Sequence, residues 1–191
     1  MMGLKHRLAK LWEKPSSKWC LGIPLGGIIL FFIGLMALPV YNGAMYYTST
    51  NEFCYGCHIG MDTIVEEYHA SPHFKNRTGT IATCADCHIP HETIPKIITK
   101  IKATADVYHK LVGTINLENF EEHRPALAQK VWDQMSETGS RECKNCHDFE
   151  RMDASLQDRR TVKRHAPEKV EGKTCIDCHQ GVAHALPKPQ L

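Results

Sequence analysis

Four copies of one pentapeptide constrain this chain more than any other feature: Cys54-Tyr55-Gly56-Cys57-His58, Cys84-Ala85-Asp86-Cys87-His88, Cys143-Lys144-Asn145-Cys146-His147 and Cys175-Ile176-Asp177-Cys178-His179. Two thiols at this spacing can form thioethers to the two vinyl groups of one porphyrin, and the histidine that follows then reaches the iron. The four copies use eight of the nine cysteines in 191 residues. Zinc sites would not demand a histidine after every second cysteine, and disulfide pairing would be indifferent to histidine altogether. The pattern predicts four covalently bound hemes c, attached through Cys54 and Cys57, Cys84 and Cys87, Cys143 and Cys146, and Cys175 and Cys178. Four large apolar groups in such a short domain leave no room for a conventional core. The expected fold is mainly α, with short helices and loops packed around the hemes and a stability that depends on them.

The second constraint lies upstream. No charged side chain occurs between Lys18 and Glu52, and the run Trp19–Tyr41 is long enough as a helix to cross a hydrocarbon layer of about 30 Å. Before it stand Lys5, Arg7, Lys10, Lys14 and Lys18 against a single Glu13. Positive charge flanking a span stays on the cytoplasmic side, so the heme-bearing part is expected on the periplasmic face of a bacterial inner membrane. The segment after the span offers no clear cleavage site of small residues, which favours a retained single-pass anchor over a signal peptide. The expected organisation is a basic lead at 1–18, a transmembrane helix at 19–41 and a periplasmic tetraheme domain at 42–191. The ninth cysteine, Cys20, reads as a small apolar residue at the edge of the span. A net charge of +2 gives no reason to expect nucleic acid, whereas membrane lipid is an expected partner.

The motifs fall into two pairs, with first cysteines 30 residues apart in the first and 32 in the second. His73 lies 15 residues after His58, and His165 lies 18 after His147; His91 lies three after His88, and His184 five after His179. The domain thus reads as two diheme units, about 50–115 and 140–186, each with two spare imidazoles. With His58, His88, His147 and His179, the residues His73, His91, His165 and His184 would make four irons with two axial imidazoles each, suited to passing electrons. His69, His109 and His123 are surplus. Met61, three residues after His58, supplies a thioether that could replace an imidazole at the first iron.

Outside the span, the longest helical pattern covers Ile94–Val112. Ile97, Ile98, Ile101, Ala105, Tyr108 and Leu111 form one stripe expected to be buried, and Lys96, Lys100, Lys102 and Lys110 occupy the remaining surface. A second helix is expected over about Pro125–Met135, burying Leu127, Val131 and Met135. Residues 42–53 read as a polar connection, with Ser49, Thr50 and Asn51 as candidate caps.

Several longer motifs add to this: Ser71-Pro72-His73, Thr83-Cys84-Ala85-Asp86-Cys87-His88-Ile89-Pro90-His91, Asp106-Val107-Tyr108-His109, Phe120-Glu121-Glu122-His123-Arg124 and Gly172-Lys173-Thr174-Cys175-Ile176-Asp177-Cys178-His179 followed by Gly181-Val182-Ala183-His184. In these stretches, and in its single anchor, the chain resembles the NapC/NirT family of membrane-anchored multiheme quinol dehydrogenases. The resemblance implies electron flow from menaquinol or ubiquinol through four hemes to a periplasmic reductase or its small cytochrome subunit, nitrate reductase first among them. It implies Met61 as a ligand of the first heme in place of His58, Asp106 beside that heme's other face, and Lys100 next to the quinol. It matches His73, His165 and His184 to distal ligands, while His91 matches either a ligand or a residue of the quinol pocket. The family places its methionine two residues after the motif histidine. Here Gly60 holds that position and Met61 follows, so His58 and Met61 both stand as candidates.

Quinol oxidation releases two electrons and two protons, whereas a heme accepts one electron at a time. Asp106 can accept a proton, and Lys100 can lower its pKa or bond the quinone oxygen. Lys102, four residues before Asp106, could instead form a plain surface pair with it. Two alternatives share the four hemes: a passive anchored carrier fed by another protein, and a quinol dehydrogenase serving a nitrite or other reductase. A lead of 18 residues has no space for the effector domain of a sensor. Homo-oligomerisation is left open by the sequence.

Overall fold

The structure, a computed structural model, describes residues 3–15, 22–57 and 61–188. Cys20 and His58, and the side chains of Cys57, Met61 and Lys110, lie outside the described residues. The chain divides into two compact units, 1–48 and 49–191. Among the described residues all regular structure is helical.

The first unit holds α1 (Leu4–Lys10) and α2 (Leu25–Tyr47). Glycine is required where the two touch: a Cβ on Gly26 would lie 2.9 Å from the Leu11 carbonyl oxygen and 3.3 Å from the Trp12 ring. Gly26 donates its N–H to that same carbonyl at 2.7 Å. With 23 residues, α2 spans about 34 Å at ~1.5 Å per residue, enough to cross a membrane by length and composition. It begins and ends six residues later than the span at 19–41. The charge-free stretch is longer than one span, so hydropathy alone leaves the register open, and Pro24 occupies the N-cap position. Pro39 lies inside the helix, where it removes one backbone hydrogen bond. Residues 42–53 are not a polar connection: α2 runs to Tyr47, and a short turn leads into α3 (Asn51–Cys57). Thr50 caps α3 by accepting the Phe53 N–H at 3.2 Å.

The second unit continues with α4 (Met61–Ala70), α5 (Cys84–His88), α6 (Thr93–Leu111), α7 (Phe120–Glu137), α8 (Arg141–Lys144), α9 (Arg159–Arg164), α10 (Pro167–Val170) and α11 (Cys175–Cys178). Single 3-10 turns cover Phe149–Arg151 and Ala154–Leu156. Helix α7 starts five residues before the expected Pro125. A proline inside a helix costs ~3 kcal/mol. Here the turn ahead of it buries Phe120 and the ion-paired Arg124, which offset that cost. Leu127 is exposed, and Val131 and Met135 are half-buried.

The apolar stripe on α6 forms as a helix face but is not buried against protein: Ile98, Ile101, Tyr108 and Leu111 are 47, 63, 63 and 80% exposed. Among described residues of the whole chain, the buried large apolar side chains are Tyr68, Phe120 and Ile176. The polypeptide packs little of its apolar surface against itself, as expected of a chain whose core is supplied by attached groups.

Candidate heme and quinol sites

Each described attachment motif forms the short helical turn that its spacing needs. The second and fourth motifs share a start. Thr83 and Thr174 are N-caps of α5 and α11, and Asp86 and Asp177 reach back to them, so each turn opens with a reciprocal capping box. The Asp86 carboxylate accepts the Thr83 N–H at 2.8 Å and its hydroxyl at 2.7 Å; Asp177 accepts the Thr174 N–H at 2.6 Å and its hydroxyl at 2.9 Å. Burial pushes Asp86 upward, but the Thr83 hydrogen bonds and the neighbouring His91 outweigh it and hold the carboxyl below its usual range.

The first and third motifs fasten onto these turns through side chains three residues ahead of their first cysteine. Asn51 Oδ1 accepts the Cys84 N–H at 3.0 Å, and Ser140 Oγ accepts the Ile176 N–H at 3.1 Å. Asn51 also donates to the Tyr68 hydroxyl at 3.3 Å, which donates to the Ala82 carbonyl at 2.8 Å. Ser140 is fully buried, with a left-handed φ of 53° that few residues other than glycine adopt without cost. The repetition of Thr-Cys-x-Asp-Cys-His, and of a small polar residue three positions before Cys54 and Cys143, was available in the sequence as a sign of these clasps.

The thiols trace the order of the sites. As free thiols, before attachment, Cys54 and Cys84 lie within hydrogen-bonding reach: a hydrogen bond from Cys84 is the main influence that lowers Cys54 to about 7, and the same interaction pushes Cys84 up. Cys87 is raised to about 11 by burial first, then by Cys143, Asp86 and Cys146. Cys143 is raised by burial first and then by Cys175. Site one therefore adjoins site two, two adjoins three, and three adjoins four.

The imidazoles fall into facing pairs. His73 and His147 have ring centres 6.1 Å apart, His88 and His184 6.3 Å, and His165 and His179 5.8 Å with planes 8° from parallel. Two imidazoles bound on opposite faces of one metal ion, with metal–nitrogen bonds of about 2 Å each, hold their ring centres about 6 Å apart. All three pairs fit that separation, and each joins a motif histidine to one of the spare ones. Two pairs cross between the diheme units: His73 of the first meets His147 of the second, and His184 of the second meets His88 of the first. His73 Nδ1 lies 3.3 Å from the Val182 carbonyl, which can only accept, so Nδ1 carries the proton and Nε2 is free to bind iron.

Other histidines have different neighbours. His91 lies 3.4 Å from Asp86 and is half exposed. His69 is hydrogen-bonded to Tyr55 at 3.0 Å and packs on Phe74. His109 lies beside Tyr108, and His123 is half-buried.

Lys100 and Asp106 share α6 but do not converge. The helix is uninterrupted, so six residues of separation send the side chains out ~120° apart at ~100° per residue. Lys100 is half-buried near Cys54; burial pushes its ammonium below the usual lysine range, and Cys54 opposes this. Asp106 is exposed. Among the described residues Lys102 forms no ion pair with Asp106, so the plain surface pairing is not what occupies this carboxylate.

The sequence profile described as NapC/NirT cytochrome c family, N-terminal region, matches residues 15–189. The chain is 43% identical over 188 residues to the cytochrome c-type protein NapC of Escherichia coli strain K12, covering 97% of this chain and 92% of that protein. It is 46% identical over 160 residues to a tetraheme cytochrome-c type protein of Allochromatium vinosum, with 83% and 86% covered. It is 39% identical over 187 residues to the denitrification system component NirT of Stutzerimonas stutzeri, with 96% and 91% covered. No solved structure matches the chain. With attachment motifs, facing imidazoles, an apolar N-terminal helix and relatives matched along nearly their whole length, the chain belongs to the NapC/NirT cytochrome c family and is a membrane-anchored electron-transfer protein carrying covalent heme c.

Proposed function

We propose that this protein is a quinol dehydrogenase that passes electrons from menaquinol or ubiquinol through four hemes to a periplasmic reductase, with nitrate reductase as the acceptor. The observation that carries the reading is the set of three facing imidazole pairs beside attachment motifs that adjoin one another in sequence order. Each heme, when bound, accepts and gives up one electron at a time. His147 with His73, His88 with His184, and His179 with His165 would each hold one iron between two imidazoles, and sites held in this way would pass electrons without binding substrate. Chemistry belongs at the first site, where His58 or Met61 is the protein ligand. His91 is left for the quinol side of the second motif.

The exposed apolar face of α6 supports entry there. Ile94, Ile98, Ile101 and Tyr108 line it, with Lys96 and Lys102 beside them, the composition of a helix lying in a membrane interface where quinol resides. Asp106 accepts the proton of the quinol hydroxyl. Lys100 lies on the side of α6 near Cys54 of the first attachment site. The basic flank of the anchor keeps the N-terminus cytoplasmic and the heme domain periplasmic.

Asp106→Asn tests the entry step. It keeps size and polarity but removes the base, so heme content and reduction by dithionite should stay at wild-type levels, while reduction by a quinol analogue slows by about 10²-fold or more. Unchanged quinol kinetics, read by stopped-flow absorbance of the heme bands, would remove Asp106 from the mechanism, whereas a wild-type protein that quinol does not reduce would favour a passive carrier fed by another protein.

A further inference from the structure

Arg124 is among the most deeply buried charged residues of the chain, yet it lies far from every attachment motif in sequence. Its guanidinium, 8% exposed, donates to Glu67 Oε2 at 2.6 Å, to Glu121 Oε1 at 3.1 Å and to the Ala185 carbonyl at 2.8 Å. The same Glu67 oxygen accepts the Ala185 N–H at 2.8 Å. One ion pair thus clasps both hydrogen-bonding groups of a single residue, and that residue follows His184. The Ala185 N–H is part of the peptide plane that leaves His184, so fixing it fixes the backbone angle that aims the His184 ring. The approach to the ring is shaped at the other end by Gly181, at φ +77°, where a Cβ would lie 3.2 Å from Leu186.

We propose that Arg124, acting with Glu67, is a positioning residue that holds His184 against the iron of the second attachment site. The inference rests on the reading of His184 as the distal ligand opposite His88. Arg124 touches neither ring. It acts through the Ala185 peptide, and no neutral residue of similar size supplies donors in that fork. Glu67 brings α4 into the same clasp, so the helix that follows the first attachment motif and the ligand loop of the second site share one buried ion pair.

The test uses the full-length membrane protein with hemes attached, and carbon monoxide as a probe for an open iron position. Three variants are compared with wild type: His184→Ala, Arg124→Lys, and the double variant Glu67→Gln/Arg124→Met, which removes the buried pair together and leaves only the half-exposed Glu121 without its arginine. Total heme is measured as pyridine hemochrome, ligation by the carbon monoxide difference spectrum and by high-spin electron paramagnetic resonance. His184→Ala should open one heme more than wild type. The double variant should open the same heme with total heme unchanged, and added imidazole should close it again. Arg124→Lys, which keeps the charge but not the fork, should fall between wild type and His184→Ala.

If His184→Ala opens a heme while the double variant and Arg124→Lys remain like wild type, the clasp does not position the ligand. If His184→Ala opens none, the ligand reading falls and takes the proposal with it. Should the double variant fail to accumulate, Arg124→Lys decides: carbon monoxide binding above wild type supports the proposal, and binding equal to wild type overturns it.

Discussion

Replacing the paired cysteines of a single attachment site, for example Cys143→Ala with Cys146→Ala, is expected to abolish the cooperative fold of residues 49–191 rather than weaken it. Tyr68, Phe120 and Ile176 are the large apolar side chains buried by the described chain, and burying one of them stabilises by about 1.5–3 kcal/mol. Ordering each backbone residue costs ~1–2 kcal/mol, so contacts of this number cannot hold a domain of that size. The clasps between motifs do not replace a core, because a hydrogen bond contributes a net ~1 kcal/mol. Loss of the third site also strands His73, which the structure sets against His147, and so disturbs the first diheme unit from the second. Far-UV circular dichroism during heating, with trypsin sensitivity in parallel, checks this. The variant should melt without a sharp transition and be digested throughout residues 49–191. A cooperative melt within a few degrees of wild type would show that protein contacts suffice.

His73→Ala is expected to open the iron of the third site, not one in its own diheme unit. His73 faces His147 at 6.1 Å, and its Nδ1 is tied to the Val182 carbonyl two residues before His184. The variant should retain its full heme content and gain one heme that binds carbon monoxide when reduced. A distal imidazole lost from a closed site should also shift that heme's reduction potential and slow transfer past it. Pairing the substitution with His147→Ala identifies the site. If the two residues serve the same iron, spectra of His73→Ala already show the one open heme, and the double variant adds no second one. Two open hemes in the double variant would place His73 elsewhere.

The helical class and the apolar N-terminal helix were legible because each follows from residue type and pattern. The register of α2 was not, since the uncharged stretch around it outlasts a single span and only the backbone places Pro24 ahead of the first turn. The start of α7 was hidden by Pro125, a helix breaker that is tolerated because Phe120 and Arg124 are buried in the turn before it. The stripe on α6 has the apolar face its period requires, but that face is exposed rather than buried: periodicity shows that one face is apolar, not what covers it.

Ligand pairing lay further out of reach. Spacing placed His73 and His184 near the first and fourth motifs, yet the structure sets them beside the third and the second, because the two units exchange segments across their contact. Sequence distance sets an upper bound on reach and says little about direction. The Arg124 clasp is of the same kind, joining residues 57 and 61 positions apart. By contrast the two capping boxes follow a known pattern of Thr and Asp three residues apart, and could have been read directly.

If electrons enter from quinol and leave to a periplasmic reductase, a coupled reduction in membranes containing the protein shows both steps at once. A menaquinol or ubiquinol analogue is added, the heme bands are followed, and periplasmic nitrate reductase with its small cytochrome subunit is then supplied with nitrate. The expected result is rapid heme reduction by quinol, reoxidation on addition of that reductase, and loss of the first step but not the second in Asp106→Asn. Hemes that stay oxidised with quinol, yet are reduced by dithionite and reoxidised by the reductase, would contradict it.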